Sequence, residues 1–230
     1  MLGIVTALII SWIILHLFDK KSILSLGFLP LSRRMKQFGI GFMITAFLCL
    51  SVELIELLLK SSNLYFNKEY SFRLFTSMFF WDLKSVITEE LIFRGAILLI
   101  LIERIGIKAG LLISATAFGI FGNIFPMIVV LIGTGIMGYA WSLSFYKTKS
   151  ILMPIGLHLG WNFTFNTIFS KGPLGAGFLI SEGGRTLSDW FSLVGLWIVP
   201  VIVLLIIKYW IPTETNLSNN EDLKTSTSNS

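Results

Sequence analysis

The sequence predicts an all-α protein, a polytopic membrane bundle of about seven transmembrane helices. Of its 230 residues, 54% are hydrophobic and only 13% are charged, whereas a soluble domain carries about 25% charged residues. The mean hydropathy is +0.81, which is more apolar surface than a soluble core of this size could hide. The apolar residues also lie in long runs, and a spanning helix needs about 20 of them.

These apolar runs divide the chain into predicted elements. The predicted helices cover residues 2–18, 38–59, 76–103, 109–124, 127–145, 151–170 and 190–208. We assign residues 1–210 to a single transmembrane domain, and the polar segment 211–230, rich in Ser, Thr and Asn, to a disordered tail. A basic amino-terminal region with a cleavage site is not evident, so the first run is expected to remain as a helix.

The distribution of Lys and Arg predicts the orientation of the helices, because cytoplasmic loops are enriched in these residues. One set of loops contains Lys20, Lys21, Arg33, Arg34, Lys36, Arg104, Lys108, Lys147, Lys149 and Lys208. The opposite set contains half as many, namely Lys60, Lys68, Arg73, Lys171 and Arg185. We therefore expect the N-terminus outside and the C-terminus in the cytoplasm. Compact loops and the lack of an organelle signal favour a bacterial plasma membrane.

Composition also limits the classes of function. The single cysteine, Cys49, excludes an intrachain disulfide and a cysteine-based metal cluster. The only two histidines, His16 and His158, leave few ligands for a metal site. The pI of 9.4 does not indicate nucleic-acid binding, because the basic residues lie in loops between apolar runs. The expected surroundings are membrane lipids.

Three ionisable residues, Glu89, Glu90 and Arg94, lie inside an otherwise apolar run. A charged residue at the centre of a membrane helix costs about 2.5–3.5 kcal/mol on insertion scales, so such residues indicate function. Glu90 and Arg94 are four residues apart and can form an ion pair on one helix face. Glu89 points about 100° away and stays available as a general base for water. The alternative is a charge pair that only holds helices together.

A second polar pair opens the sixth predicted helix. His158 and Asn162 are four residues apart and share a face. They lie at a membrane depth similar to that of Glu89, so a joint site is expected. A carboxylate base, a histidine and an amide donor can activate water and stabilise an oxyanion. The alternative is a histidine used for packing or hydrogen bonding.

Together these motifs resemble the CAAX-type prenyl endopeptidases, also called the Abi or CPBP intramembrane proteases, a family that includes bacteriocin-immunity proteins. The first family motif is two glutamates, three residues and an arginine, as in Glu89, Glu90 and Arg94. The last is a histidine, three residues and Asn or Asp, as in His158 and Asn162. The resemblance covers roughly residues 76–170. It implies that Glu89 is the base, with His158 and Asn162 stabilising the oxyanion.

The middle family motif, Phe followed by three residues and His, is incomplete in this chain. Phe118 is present, but Gly122 occupies the histidine position, and Asn123 follows it as a potential substitute. In the family this histidine is thought to help the first glutamate to activate water. The older metalloprotease label of the family also allows a divalent metal such as zinc. Glu89 and His158 alone would be a poor zinc site, since catalytic zinc normally has three protein ligands.

Two functional hypotheses follow. The first is an intramembrane endopeptidase whose substrate is a small hydrophobic or lipid-modified peptide. The second is a degenerate family member that binds a membrane partner protein, in regulation or in bacteriocin self-immunity; Gly122 favours it. A small transporter also has buried charges, but no inverted repeat is visible in the sequence.

Overall fold

Helices dominate the computed structural model of the protein, which describes residues 2–121, 128–169, 177–186 and 189–214. This agrees with the predicted all-α class. The helices are α1 (Leu2–Asp19), α2 (Leu31–Lys60), α3 (Phe72–Glu90), α4 (Leu98–Ile105), α5 (Ile107–Phe121), α6 (Ile128–Thr148), α7 (Leu152–Asn162) and α8 (Asp189–Trp210).

Two of these helices change to π-helical winding at the sequence motifs. A π segment, Leu91–Ile97, joins α3 to α4 directly after Glu90, and a second one, Phe163–Ile168, extends α7 directly after Asn162. Apart from the short 3-10 helix Ile23–Leu26, and with each joined run counted once, the described residues form seven helical segments. Single π turns occur frequently at functional sites.

The described residues contain one helix, α2, that is long and apolar enough by length and composition to cross a membrane. Three shorter apolar helices lie at Ile4–Phe18, Ile107–Ile120 and Trp197–Trp210. The predicted number of spans and their orientation therefore stay predictions. Large apolar side chains are exposed on the outer face of α2, among them Met43, Phe47 and Leu58. Extended apolar surfaces of this kind suit contact with lipid or with a partner rather than with water.

A small antiparallel sheet connects two distant parts of the chain. Strand β1 (Asn63–Phe66) pairs with strand β2 (Leu179–Glu182), with Asn63 opposite Glu182. The backbone N–H of Phe178 donates to the carbonyl of Thr167, which attaches the sheet to the end of the second π segment. The sequence does not predict this sheet, because four-residue strands are too short to show a periodic pattern.

Helix α2 begins at Leu31, seven residues before its predicted start. Buried Arg34 stabilises this first turn, since its Nη1 donates to the carbonyl of Thr148 at 2.8 Å. Glu214 accepts from Arg33 at 2.9 Å and from Arg34 at 3.2 Å. These contacts hold residues 211–214 against the helices. These four residues therefore do not belong to a disordered tail, which was predicted for 211–230. Residues 215–230 lie outside the described residues.

Helix α7 is held against α2 by glycines. A Cβ at Gly156 would overlap the carbonyl oxygen of Phe38, and a Cβ at Gly160 would overlap that of Phe42. The hydroxyl of Thr45 donates to the carbonyl of Leu157 at 2.5 Å. This close approach buries every residue from 153 to 160, including His158.

Candidate active site

The imidazole of His158 on α7 lies between the two glutamates at the end of α3. Its Nδ1 is 2.9 Å from Oε1 of Glu90, and its Nε2 is 3.9 Å from Oε2 of Glu89. An ionised carboxylate can only accept a hydrogen bond, so Nδ1 donates to Glu90. In the neutral imidazole, Nε2 is then an acceptor that faces Glu89.

Glu90 and Arg94 form the ion pair that their spacing suggests. Arg94 Nη1 lies 3.1 Å from Glu90 Oε1, and both side chains are 0% exposed. Arg94 Nη2 donates to the carbonyl of Gly138 on α6 at 3.3 Å. Glu90 Oε2 and Arg94 Nε have no hydrogen-bond partner among the described residues. Glu90 thus binds both Arg94 and His158, and none of its side chain is exposed.

Aromatic side chains fix the plane of the imidazole. The ring of His158 stacks on Trp141 at a centroid distance of 4.2 Å and meets the edge of Phe118 at 5.8 Å. The guanidinium of Arg94 lies 4.0 Å from the centroid of Phe118, a cation–π contact. Phe118 on α5 therefore contacts both the ion pair and His158. It does so by packing and not by hydrogen bonding.

Glu89 is the more accessible of the two glutamates. Its side chain is 24% exposed, whereas that of Glu90 is 0% exposed. Ser85, one turn earlier on α3, donates to Glu89 Oε1 at 2.9 Å. Oε2 is left facing His158 Nε2. The carboxylate with room for another molecule is thus the one that the sequence suggests as the base.

The remaining predicted residues of the site are Asn162, Gly122 and Asn123. Asn162 is half-buried one turn beyond His158, and its amide makes no hydrogen bond with the described part of the chain. Gly122 and Asn123 lie outside the described residues. The role of Gly122 and Asn123 in the middle motif therefore stays a prediction.

Sequence reasoning missed a second polar cluster that continues from the site. Asp82 on α3 is 3% exposed and accepts from Asn166 Nδ2 at 2.7 Å and from Thr167 Oγ1 at 3.4 Å. The signal was present in the spacing, because Asp82 lies seven residues before Glu89 and Asn166 four residues after Asn162. Each therefore lies near the helix face of a predicted site residue.

The donor atoms at the site do not fit a catalytic zinc ion. Such a zinc normally has three protein ligands, and no group of three or more His, Cys, Asp and Glu side chains suited to a metal occurs in the described ranges. Glu89 Oε2 and His158 Nε2 offer two donors, since His158 Nδ1 is already bound to Glu90. Neither His16 on α1 nor Cys49 on α2 is close in sequence to these residues.

Comparison with known proteins agrees with the family that the motifs indicate. Residues 71–164 match the model of the family described as type II CAAX prenyl endopeptidase Rce1-like, a family of membrane-embedded proteases. The matched region includes both motif helices. No curated protein and no solved structure is significantly similar to the chain. The resemblance drawn from the glutamate and histidine motifs is thereby confirmed over residues 71–164, which are similar to the Rce1-like type II CAAX prenyl endopeptidases.

Proposed function

We propose that the protein is an intramembrane endopeptidase that hydrolyses a peptide bond of a small hydrophobic or lipid-modified substrate. Glu89 activates the attacking water. The observation that carries the proposal is the 3.9 Å separation between Glu89 Oε2 and His158 Nε2. Two polar atoms at this distance are too far apart for a direct hydrogen bond but close enough to share a water molecule.

Both partners of this water are held in place. Ser85 donates to Oε1 of Glu89 and leaves Oε2 as the acceptor for the water. Glu90 holds Nδ1 of His158, so Nε2 accepts the second hydrogen bond from the same water. Trp141 and Phe118 prevent the ring from turning away. The lone pairs of the water then point away from both acceptors, toward an incoming carbonyl carbon.

The reaction follows from these roles. Glu89 removes a proton from the water, and the oxygen bonds to the carbonyl carbon of the substrate. The carbonyl oxygen becomes an oxyanion, for which the amide of Asn162 is the available donor. When the C–N bond breaks, the proton on Glu89 passes to the leaving amine. The products are a carboxylic acid and an amine.

This assignment gives His158 a different part from the one that the family resemblance implies. The resemblance makes His158 an oxyanion stabiliser and assigns the water to Glu89 and the middle histidine, which Gly122 replaces. With Nδ1 bound to Glu90, Nε2 of His158 faces Glu89 and is the second water ligand. Asn162 alone then serves the oxyanion. The proposal places the enzyme in the plasma membrane as a multi-pass protein, with no nucleic acid involved.

The test is cleavage by purified protein of a prenylated peptide with a C-terminal CAAX sequence, beside an unmodified hydrophobic peptide. Glu89→Gln replaces the carboxylate base with an uncharged amide of nearly the same size. The cleavage rate is therefore expected to fall by about 10²–10⁴-fold. Glu103→Gln is the matched control, because Glu103 is 42% exposed on α4 and pairs with Lys21. It should cleave like the wild type. A Glu89→Gln protein as active as the wild type would refute the proposed role.

The second candidate function is a regulatory or bacteriocin self-immunity protein that no longer cleaves. Gly122 at the middle-histidine position is the observation that favours it. Its test is whether bacterial cells that express the chain survive a bacteriocin whose gene lies beside the gene for the chain. Equal protection by wild type and Glu89→Gln would support this function, while loss of protection in Glu89→Gln would support the peptidase.

A further inference from the structure

We propose that Asn166 extends the site beyond the oxyanion donor Asn162 as a subsite for the backbone of an extended peptide on one side of the bond to be cut, and that Asp82 positions Asn166. This inference rests on the proposed peptidase function. It specifies the conformation and the minimum length of the substrate.

The orientation of the Asn166 amide is set by Asp82. Asp82 is 3% exposed and receives hydrogen bonds from two neutral side chains, Asn166 at 2.7 Å and Thr167 at 3.4 Å. Because an ionised carboxylate only accepts, the amide must turn its Nδ2 toward Asp82. Its Oδ1 then points away from Asp82 as a free acceptor.

The two asparagines leave hydrogen-bonding capacity unused. Both are half-buried, the Asn162 amide has no partner in the described part of the chain, and Asn166 has none there besides Asp82. A polar group in an apolar environment costs free energy when it is unpaired, so a bound partner would stabilise both side chains. An amide can both donate to a carbonyl and accept from an N–H, so the chemistry that best matches both side chains is another peptide backbone.

The spacing of these groups fits an extended chain. His158 and Asn162 are four residues apart on α7, about 6 Å along an α-helix, and Asn166 follows four residues later within the π segment. An extended peptide presents groups on the same side every two residues, about 6.6 Å apart. His158 and Asn166 both contact α3, through Glu90 and Asp82. Since Asn162 is the proposed oxyanion donor, the scissile carbonyl lies beside Asn162, and an extended strand along this line would reach Asn166 about two residues further on.

An apolar environment strengthens the need for such a subsite. The N–H and C=O groups of an extended peptide lose their partners when the peptide leaves water, whereas those of a helix are already paired. Two amides beside the water-activating pair would compensate this loss. The expected substrate segment is therefore extended, and it reaches at least about two residues beyond the scissile carbonyl on the side of Asn166.

The test uses fluorescent prenylated CAAX peptides that are shortened one residue at a time from their amino-terminal end, and unmodified hydrophobic peptides shortened from either end. Removing one hydrogen bond by Asn166→Ala should raise KM for the long peptides about 3- to 10-fold, with kcat nearly unchanged. Peptides too short to reach Asn166 should be cleaved alike by wild type and variant. Equal effects on long and short peptides, or no effect on either, would overturn the subsite.

The role of Asp82 is tested by exchanging the pair. Asp82→Asn alone lets the Asn166 amide turn over, and should raise KM as Asn166→Ala does. The double variant Asp82→Asn/Asn166→Asp restores the hydrogen bond in the opposite direction and leaves a carboxylate oxygen as the acceptor. It should return KM for long peptides toward the wild-type value. A double variant no better than the single ones would refute positioning by Asp82.

Failure of the proposed peptidase function can be recognised separately. Binding of the same peptides is measured in the Glu89→Gln background by fluorescence anisotropy. If the wild type cleaves nothing but long peptides bind more tightly than short ones, and Asn166→Ala removes the difference, the subsite is supported and the peptidase is not. Cleavage or binding without dependence on length rejects the subsite.

Discussion

Glu89 and Glu90 are neighbours in the chain but lie in different surroundings. Glu90 has no exposed surface and contacts both Arg94 and His158, whereas Glu89 is 24% exposed and contacts Ser85. A helix turns about 100° per residue, so adjacent side chains face different neighbours. Glu90 can therefore hold the ion pair with Arg94, while Glu89 stays accessible for catalysis.

Arg94→Ala should destabilise the protein strongly. Removing one member of a buried ion pair leaves the other charge unpaired, at a cost of about 3–5 kcal/mol. Arg94 also contacts the Gly138 carbonyl and the Phe118 ring, and the variant loses these contacts as well. The measurement is thermal unfolding of purified protein, followed by a dye or by circular dichroism.

Arg104→Ala is the matched control for this measurement, because Arg104 is exposed at the end of α4. Its unfolding temperature should stay close to that of the wild type. An Arg94→Ala protein with the stability and expression of the Arg104→Ala protein would contradict the importance of the buried pair.

Gly122→His tests the alignment of the middle motif. If Gly122 corresponds to the family histidine, the new imidazole gives the attacking water a further partner. Peptidase activity should then rise on the order of 10²-fold, the low end of general acid–base assistance. Asn123→His is the companion variant, and each is assayed with and without Glu89→Gln. A larger gain from Asn123→His would show that the motif register is shifted by one residue.

At the scale of the elements, the contact between α2 and α7 determines the depth of His158. Gly156 and Gly160 allow the backbones to approach at Phe38 and Phe42. Small residues serve this purpose wherever helices pack in a membrane. Without this close contact α7 would move outward, and His158 would lose its position between the two glutamates.

Gly160→Ala should therefore lower both stability and activity. The added methyl group would overlap the carbonyl of Phe42, and overpacking of this kind costs about 1–3 kcal/mol. Gly39→Ala is the control, since no atom lies within 4 Å of a Cβ placed there on α2. That change should be neutral or stabilising by about 0.5–1 kcal/mol. The two variants are compared by thermal unfolding and by cleavage rate, and equal behaviour would contradict the packing argument.

At the scale of the whole molecule, the apolar exterior and the distribution of basic residues predict a membrane topology with the N-terminus outside and the C-terminus in the cytoplasm. We expect the C-terminal end of α1 and the N-terminal end of α2 to face the cytoplasm, and the sheet β1–β2 to face outside. Both Ser32 on the first turn of α2 and Ser181 on β2 are exposed. They are therefore suitable positions for labelling.

Cysteine labelling of intact cells tests this topology. The chain has one cysteine, Cys49, which is buried, so the wild type gives the background. Ser181→Cys should react with a membrane-impermeant maleimide from outside. Ser32→Cys should react only after the cells are permeabilised. Labelling of both from the same side would refute the predicted orientation.

The sequence by itself determined the helical class, the approximate helix positions and the family resemblance, because long apolar runs and four-residue spacings are local properties. The pairing of Glu90 with Arg94 also lies within one helix turn. The sequence could not reveal that His158 uses one nitrogen for Glu90 and directs the other to Glu89. That arrangement depends on how α7 packs against α3, between residues 68 positions apart.

Only the tertiary structure brought Asp82 together with Asn166, and β1 together with β2. These contacts join residues more than 80 positions apart, and no periodicity within either segment specifies the partner. Trp141 and Phe118 likewise appear in the sequence as ordinary apolar residues. Only the packing of the helices places Trp141 against His158 and Phe118 against Arg94. Local chemistry thus identified the candidate site residues, and the packing of distant helices decided which atoms face each other.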